Sequence, residues 1–101
     1  MASSVIKADQ KPTGFEASVN LMSYTSASNA YTIPKDGWLL AVTNANTDNQ
    51  LVVNIDGTNL FSLAGGSKVQ TIPVPVTAGM VVYVSTNTGS QNGLSYRAYK
   101  Y

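Results

Sequence analysis

Hydrophobic and polar positions alternate with a period of about two residues along most of the chain. The segment 51–56 reads L-V-V-N-I-D, with Leu51, Val53 and Ile55 on one side. Such alternation is typical of half-buried β-strands, and no helical period longer than one turn is present. The pattern predicts eight strands, at residues 15–24, 31–33, 38–44, 51–56, 59–63, 69–76, 80–85 and 94–101.

This spacing predicts an all-β fold, a jelly-roll-like antiparallel β-sandwich of about seven to eight strands. A chain of 101 residues suits a single domain. We expect residues 1–14 to form an N-terminal arm, in which Val5 and Ile6 suit a short strand, and residues 15–101 to form the sandwich domain. In the first strand, Phe15, Val19 and Leu21 are expected to share one face.

The segment Tyr31–Val42 predicts a strand, a turn and the central core strand. Pro34 presets φ for the turn, Asp36 favours it, and Gly37 accepts a positive φ. From Trp38 onward both faces of the strand are apolar, which is typical of a strand covered on two sides. Trp38 is therefore expected to be the core anchor of the sandwich.

Three further signals describe the ends and edges of the strands. The dipeptide Asp56-Gly57 predicts a two-residue hairpin turn, and Gly79 predicts a turn before the strand at 80–85. Pro73 and Pro75 remove hydrogen-bond donors from the same edge of their strand. That strand is therefore expected at the edge of a sheet, protected against further pairing.

Composition excludes several function classes. The chain contains no Cys and no His, which removes disulfides, thiol nucleophiles, His-based acid–base catalysis and ordinary zinc sites. Only 11% of its residues are charged, and the net charge is +1 without a basic cluster, so no nucleic-acid partner is expected. No apolar stretch is long enough for a signal peptide or a membrane span, so we expect synthesis in the cytoplasm and no membrane insertion.

The polar residues supply no evident catalytic or metal site. The carboxylates do not nominate an opposed pair, and turn capping explains those before glycine; they are Asp9, Glu16, Asp36, Asp48 and Asp56. The Asn-rich loop 44–50 has oxygen ligands but only one charge, which favours a solvated loop over a calcium site. The sequence G-G-S-K at 65–68 lacks the spacing of a phosphate-binding loop. We therefore expect no enzyme activity, no cofactor and no metal.

Four tyrosines near the end of the chain are the candidate functional residues; they are Tyr83, Tyr96, Tyr99 and Tyr101. Tyrosine is enriched at protein interfaces, and its ring can also stack on a sugar or pack in a core. The residues alone leave three readings open: a subunit interface, a ligand platform and plain core.

Four motifs carry a resemblance to a known group of proteins. Tyr31–Trp38 reads aromatic-Thr-x-Pro-x-Asp-Gly-aromatic, Val53–Gly57 reads V-x-I-D-G, and Val74–Val82 reads V-P-V-x-x-G-x-x-V. Ser95–Tyr101 is a short terminal strand rich in aromatic residues. Over residues 31–101 the chain resembles small β-sandwich domains of tailed-bacteriophage virions, although it lacks their long glycine-rich or coiled-coil shafts.

The resemblance implies a structural role. Such domains occur in head fibres, capsid decoration proteins and tail-fibre tips, commonly as homotrimers with a tumour-necrosis-factor-like jelly roll. It therefore implies a virion protein whose partners are further copies of itself, other capsid or tail proteins and, for an adhesin, a host-surface glycan. The alternative that the residues leave open is a carbohydrate-binding module that uses the tyrosines and the Asn-rich loops.

Overall fold

The computed structural model describes residues 11–43, 49–64, 69–89 and 91–101, with the backbone alone for 61–64. Over these residues the chain forms two antiparallel sheets. Their strands are β1 (Gly14–Phe15), β2 (Val19–Asn20), β3 (Tyr31–Thr32), β4 (Gly37–Thr43), β5 (Gln50–Ile55), β6 (Thr58–Ala64), β7 (Gln70–Val76), β8 (Val81–Thr88) and β9 (Gly93–Lys100). The five-stranded sheet has the order β1-β9-β4-β7, with β2 also paired to β9, and the four-stranded sheet has the order β3-β8-β5-β6.

The core lies between the two sheets and is built from alternate residues of the long strands. The predicted all-β sandwich is thereby confirmed, and the inward positions of β5 and β9 are those that alternation predicts. The buried hydrophobic residues are Leu21, Ile33, Leu39, Ala41, Leu51, Val53, Ile55, Val76, Val82, Val84, Leu94, Tyr96 and Ala98.

Strand β4 turns the opposite face inward from the one that the sequence suggested. Leu39 is fully buried, whereas Trp38 is half-buried and Leu40 is 42% exposed. Trp38 lies directly opposite Arg97 of β9, and residues opposite each other share a face of the sheet. A cation cannot point into an apolar core, so the face with Trp38 is the outer one. The prediction that Trp38 anchors the core is therefore wrong.

The predicted strand 15–24 is two short strands with different registers on β9. Phe15 lies opposite Tyr99, whereas Val19 lies opposite Tyr96. The four residue steps from Phe15 to Val19 therefore lie opposite only three steps of β9, from Tyr99 to Tyr96. The first segment contains one extra residue, as in a β-bulge. Because one extra residue reverses the side to which a strand's side chains point, Phe15 is exposed while Val19 packs against the core. The prediction that Phe15 shares a face with Val19 and Leu21 is therefore wrong.

The segment after Pro34 is a bend rather than a turn with a positive φ at Gly37. Gly37 is already the first residue of β4, and its φ does not lie in the left-handed region. A Cβ atom at Gly37 would lie 2.1 Å from the Arg97 carbonyl oxygen, so close backbone approach explains this glycine. The Asp36 carboxylate accepts a hydrogen bond from the Ala78 amide at 2.9 Å instead of capping its own backbone.

The other predicted turns form where the sequence placed them. Asp56 and Gly57 have φ values of 52° and 87°, the combination of a type I′ hairpin turn, and Gly79 has a φ of 94°. The Asp56 carboxylate accepts a hydrogen bond from the Val81 amide at 2.8 Å, so it also ties the hairpin to β8.

Strand β7 is at the edge of its sheet, as its prolines predicted. Pro73 and Pro75 lie opposite Leu40 and Trp38 of β4. Because the two prolines are two residues apart, their ring nitrogens point to the same edge of the strand, and this is the open edge away from β4. Part of the predicted arm joins the sheet, since the Thr13 amide donates to the Lys100 carbonyl at 2.6 Å. The predicted strand at Val5-Ile6, residues 44–48 of the predicted loop 44–50, and the loop 65–68 lie outside the described residues, and Gln50 is the first residue of β5.

Candidate functional site: the outer face of the five-stranded sheet

The side of the five-stranded sheet that points away from the core is largely apolar. We call it the outer face and define it by Phe15, Trp38, Leu40, Pro73, Pro75, Arg97 and Tyr99. Trp38 sits between Pro75 and Arg97, and Leu40 sits beside Pro73. Phe15 and Leu40 are 46% and 42% exposed. A single chain thus leaves a contiguous hydrophobic surface uncovered.

A shallow groove crosses the centre of the outer face. Its volume is ≈ 290 Å³. Side chains from four strands line it, among them Phe15, Trp38, Leu40, Pro73 and Arg97. Pro73 and Trp38 have few rotatable bonds, so covering this groove costs little side-chain entropy.

Aromatic contacts fix one end of the outer face. The rings of Phe15 and Tyr99 stack with centroids 5.4 Å apart, and the Trp38 Nε1 donates a hydrogen bond to the Tyr99 hydroxyl. The Arg97 guanidinium lies 5.8 Å from the centre of the Phe15 ring. Its Nε donates to the Glu16 carbonyl at 2.8 Å, which holds the cation over the ring. The surface is therefore preorganised before anything binds to it.

A second, more polar cleft adjoins this aromatic end. Tyr99 contributes to both surfaces, and Tyr101 packs edge-on against it with centroids 6.1 Å apart. The cleft has a volume of ≈ 440 Å³, and its lining includes Glu16, Lys35, Asp36, Tyr99, Lys100 and Tyr101. Lys35 and Glu16 form an exposed ion pair of 3.0 Å. We call this the tyrosine cleft.

The four candidate tyrosines separate into three places. Tyr99 and Tyr101 meet at the tyrosine cleft. Tyr96 is 2% exposed and belongs to the core, where its ring packs near Tyr31. Tyr83 lies between two buried valines of β8 and therefore points to the outside of the four-stranded sheet. The structure does not bring the four together into one platform.

The buried Tyr96 hydroxyl donates a hydrogen bond to the Lys35 carbonyl at 2.6 Å. Burial raises the pKa of Tyr96 above its ordinary value of 10.0, because the charged phenolate is disfavoured away from water. The unfolded chain therefore releases this proton at lower pH than the folded one. The stability that Tyr96 contributes is therefore fully present below about pH 10, the ordinary pKa, and is lost as the pH rises through the pKa of the folded state.

We expect Tyr96→Phe to reduce the free energy of unfolding by about 1 kcal/mol at neutral pH, because one buried hydrogen bond is lost. Above pH 10 the difference from the wild type should shrink, since phenylalanine does not titrate. Urea unfolding at pH 7, 9, 10 and 11 measures both effects. A difference that grows with pH would contradict the assignment.

The described carboxylates have structural partners. Glu16 pairs with Lys35, while Asp36 and Asp56 accept backbone hydrogen bonds. Among the described residues, no group of three or more acidic, His or Cys side chains could hold a metal ion.

Sequence reasoning did not nominate Phe15, Leu40 or Arg97 for the site. A signal existed, because Arg97 alternates with Leu94, Tyr96 and Ala98 and marks the exposed side of the last strand. Pairing that side with Trp38 and Leu40 required the register between β9 and β4, which one sequence does not supply.

Fold and site together define a small antiparallel β-sandwich protein with an apolar outer face. Comparisons with models of protein families, with curated proteins and with solved structures give no match. Within the residues described above, no helix is long and apolar enough to cross a membrane.

Proposed function

We propose that this protein is a structural component of a tailed-bacteriophage virion that works through assembly rather than catalysis. The observation that carries the assembly role is the outer face, whose apolar side chains are uncovered in a single chain. The resemblance of residues 31–101 supports the virion setting. Its partners are then further copies of itself and other capsid or tail proteins, with the N-terminal arm as an attachment segment.

The strand order supports a jelly roll as the particular type of sandwich. Strands β1 and β2 both pair with β9, so they can be counted as the two parts of one strand. Renumbered in that way, the sheets have the orders 1-8-3-6 and 2-7-4-5, the arrangement of two nested Greek keys.

The proposed assembly is a homotrimer that buries the outer face. Interface cores are enriched in aromatic residues and arginine, and here Phe15, Trp38, Tyr99 and Arg97 lie together. Apolar surface contributes roughly 25 cal/mol for each Å² that leaves water, and Phe15 and Leu40 are 46% and 42% exposed in the single chain. The stoichiometry of three chains is implied by the resemblance, whereas the choice of the outer face as the interface rests on its exposed apolar residues.

We expect Leu40→Glu to abolish this association, because it places a charge at the centre of the outer face. Val81→Glu is the matched control, since Val81 is 37% exposed and lies on β8 of the other sheet. Light scattering coupled to size-exclusion chromatography at micromolar concentration should give three chains, or a multiple of three, for the wild type and the control. A monomeric wild type would contradict the trimer.

The virion setting has its own test, independent of oligomeric state. The coding gene is expected to lie between genes for capsid or tail proteins. Neighbouring genes for metabolic enzymes would count against a virion protein while leaving the assembly role open to the light-scattering result.

A carbohydrate-binding module is the second candidate, and the tyrosine cleft favours it. The exposed Tyr101 ring and the half-buried Tyr99 ring lie beside carboxylates and lysines, which suits a sugar that stacks its apolar face and hydrogen-bonds through its hydroxyls. Binding on a glycan array that is lost in Tyr99→Ala and kept in Tyr83→Ala would support this candidate, because Tyr83 lies on the other sheet. No binding to any glycan would leave the structural role.

A further inference from the structure

One long strand edge in the described part of the chain carries neither a proline nor a charged residue. The outward edge of β7 contains two prolines, and β1, β2 and β3 have only two residues each. Strand β6, at the end of the four-stranded sheet, has seven residues and reads T-N-L-F-S-L-A. We call the side of β6 that faces away from β5 the β6 edge.

Exposed edges normally carry charges, prolines or bulges that turn them away, because an open row of amides and carbonyls recruits other strands. Strand β6 has a bulge beside Leu60, but no proline and no charged residue. Leu60 is also 58% exposed. An apolar, uncharged edge of this length is suited to pairing with another strand.

The direction of the backbone amides in β6 supports pairing at the β6 edge. The type I′ turn at Asp56-Gly57 makes Ile55 and Thr58 the closing hydrogen-bonded pair. Hydrogen-bonded and non-bonded positions alternate along an antiparallel pair, so the Asn59 amide faces away from β5. A strand on the β6 edge would give that amide a carbonyl partner.

We propose that two copies of this chain pair antiparallel through their β6 edges and join their four-stranded sheets across a twofold axis. A second copy fits because the strand has no charge, so pairing with itself brings no like charges together. Each copy presents the same edge, as a closed twofold contact requires. This surface belongs to the other sheet and is independent of the proposed trimer.

The test uses Leu60→Lys and Leu60→Glu in the Leu40→Glu background, in which the outer face no longer associates. Val69→Lys is the matched control, because Val69 is 57% exposed and Leu60 is 58% exposed. Sedimentation velocity over a concentration series should show a dimer for the background and for the control. Each Leu60 variant alone should weaken dimerisation at least about tenfold, since two equal charges then lie within one short pair of strands.

An equimolar mixture of the Leu60→Lys and Leu60→Glu proteins should restore the dimer, because the charges across the axis are then opposite. A misfolded variant would not be rescued in this way, and circular dichroism of each protein checks the fold. A background protein that is monomeric throughout, or a dimer that Leu60→Lys leaves unchanged, would overturn the proposal. Neither result would bear on the trimer, which is tested at Leu40.

Hydrogen exchange provides a local readout. Exchange of the Asn59 amide should slow as the concentration of the background protein rises, and it should stay fast in the Leu60→Lys variant. Slow exchange that does not depend on concentration would mean that another segment of the same chain covers the β6 edge, and it would overturn the pairing.

Discussion

Leu39→Ala is expected to destabilise the protein by about 2–5 kcal/mol, because it opens a cavity in the core between the two sheets. Leu39 is fully buried between the sheets and is flanked on its own strand by two outward residues. Its neighbours cannot refill the space, since both adjoining strands are held by continuous ladders. Urea unfolding followed by tryptophan fluorescence or circular dichroism measures the loss.

Leu40→Ala is the matched control for Leu39→Ala. Leu40 is 42% exposed in the single chain, so its truncation should cost less than about 1 kcal/mol of intrinsic stability. Any larger loss would come from association and would change with protein concentration, whereas the loss at Leu39 would not. Equal, concentration-independent losses at both positions would contradict the assignment of the two faces of β4.

Gly37→Ala is expected to cost about 3 kcal/mol or to prevent folding, because a methyl group cannot fit there. The added Cβ would lie 2.1 Å from the Arg97 carbonyl oxygen and 2.8 Å from the Ala98 Cα. Both are backbone atoms of β9, so relief requires separating β4 from β9 at the start of their ladder. The loss should be visible as a lower urea midpoint and a lower melting temperature.

Gly93→Ala is the corresponding control on the same pair of strands. Gly93 lies opposite Val42, and a Cβ built there meets no heavy atom within 4 Å. Removing a glycine from a compatible backbone stabilises a protein by roughly 0.4–1 kcal/mol through the unfolded state. A substantial loss at Gly93, or tolerance at Gly37, would show that close approach is not the reason for Gly37.

The elements of this fold that could be predicted from sequence are those with local causes. The hairpin at Asp56-Gly57 follows from residues that tolerate a positive φ, and the core positions of β5 and β9 follow from strict alternation. The edge position of β7 follows from Pro73 and Pro75, whose missing donors restrict where a strand can sit.

The candidate site could not be predicted because it depends on pairing between distant segments. Both faces of β4 are apolar, so only its register against Arg97 separates the outer Trp38 from the inner Leu39. The position of Phe15 depends on a one-residue shift against β9 that leaves no mark in the composition. Alternation along the last strand does separate the tyrosines, since it places Tyr96 on the side of Leu94 and Ala98, and Tyr99 on the side of Arg97 and Tyr101.

The register shift between β1 and β2 makes segment length matter separately from residue type. Ala17 and Ser18 are exposed, so their identities are lightly constrained by packing. The number of residues between Phe15 and Val19 is strongly constrained. Deleting one of them would bring Phe15 into the register of Val19 and reverse the side to which the Phe15 side chain points. A family of such chains would therefore vary in sequence across this segment while keeping its length.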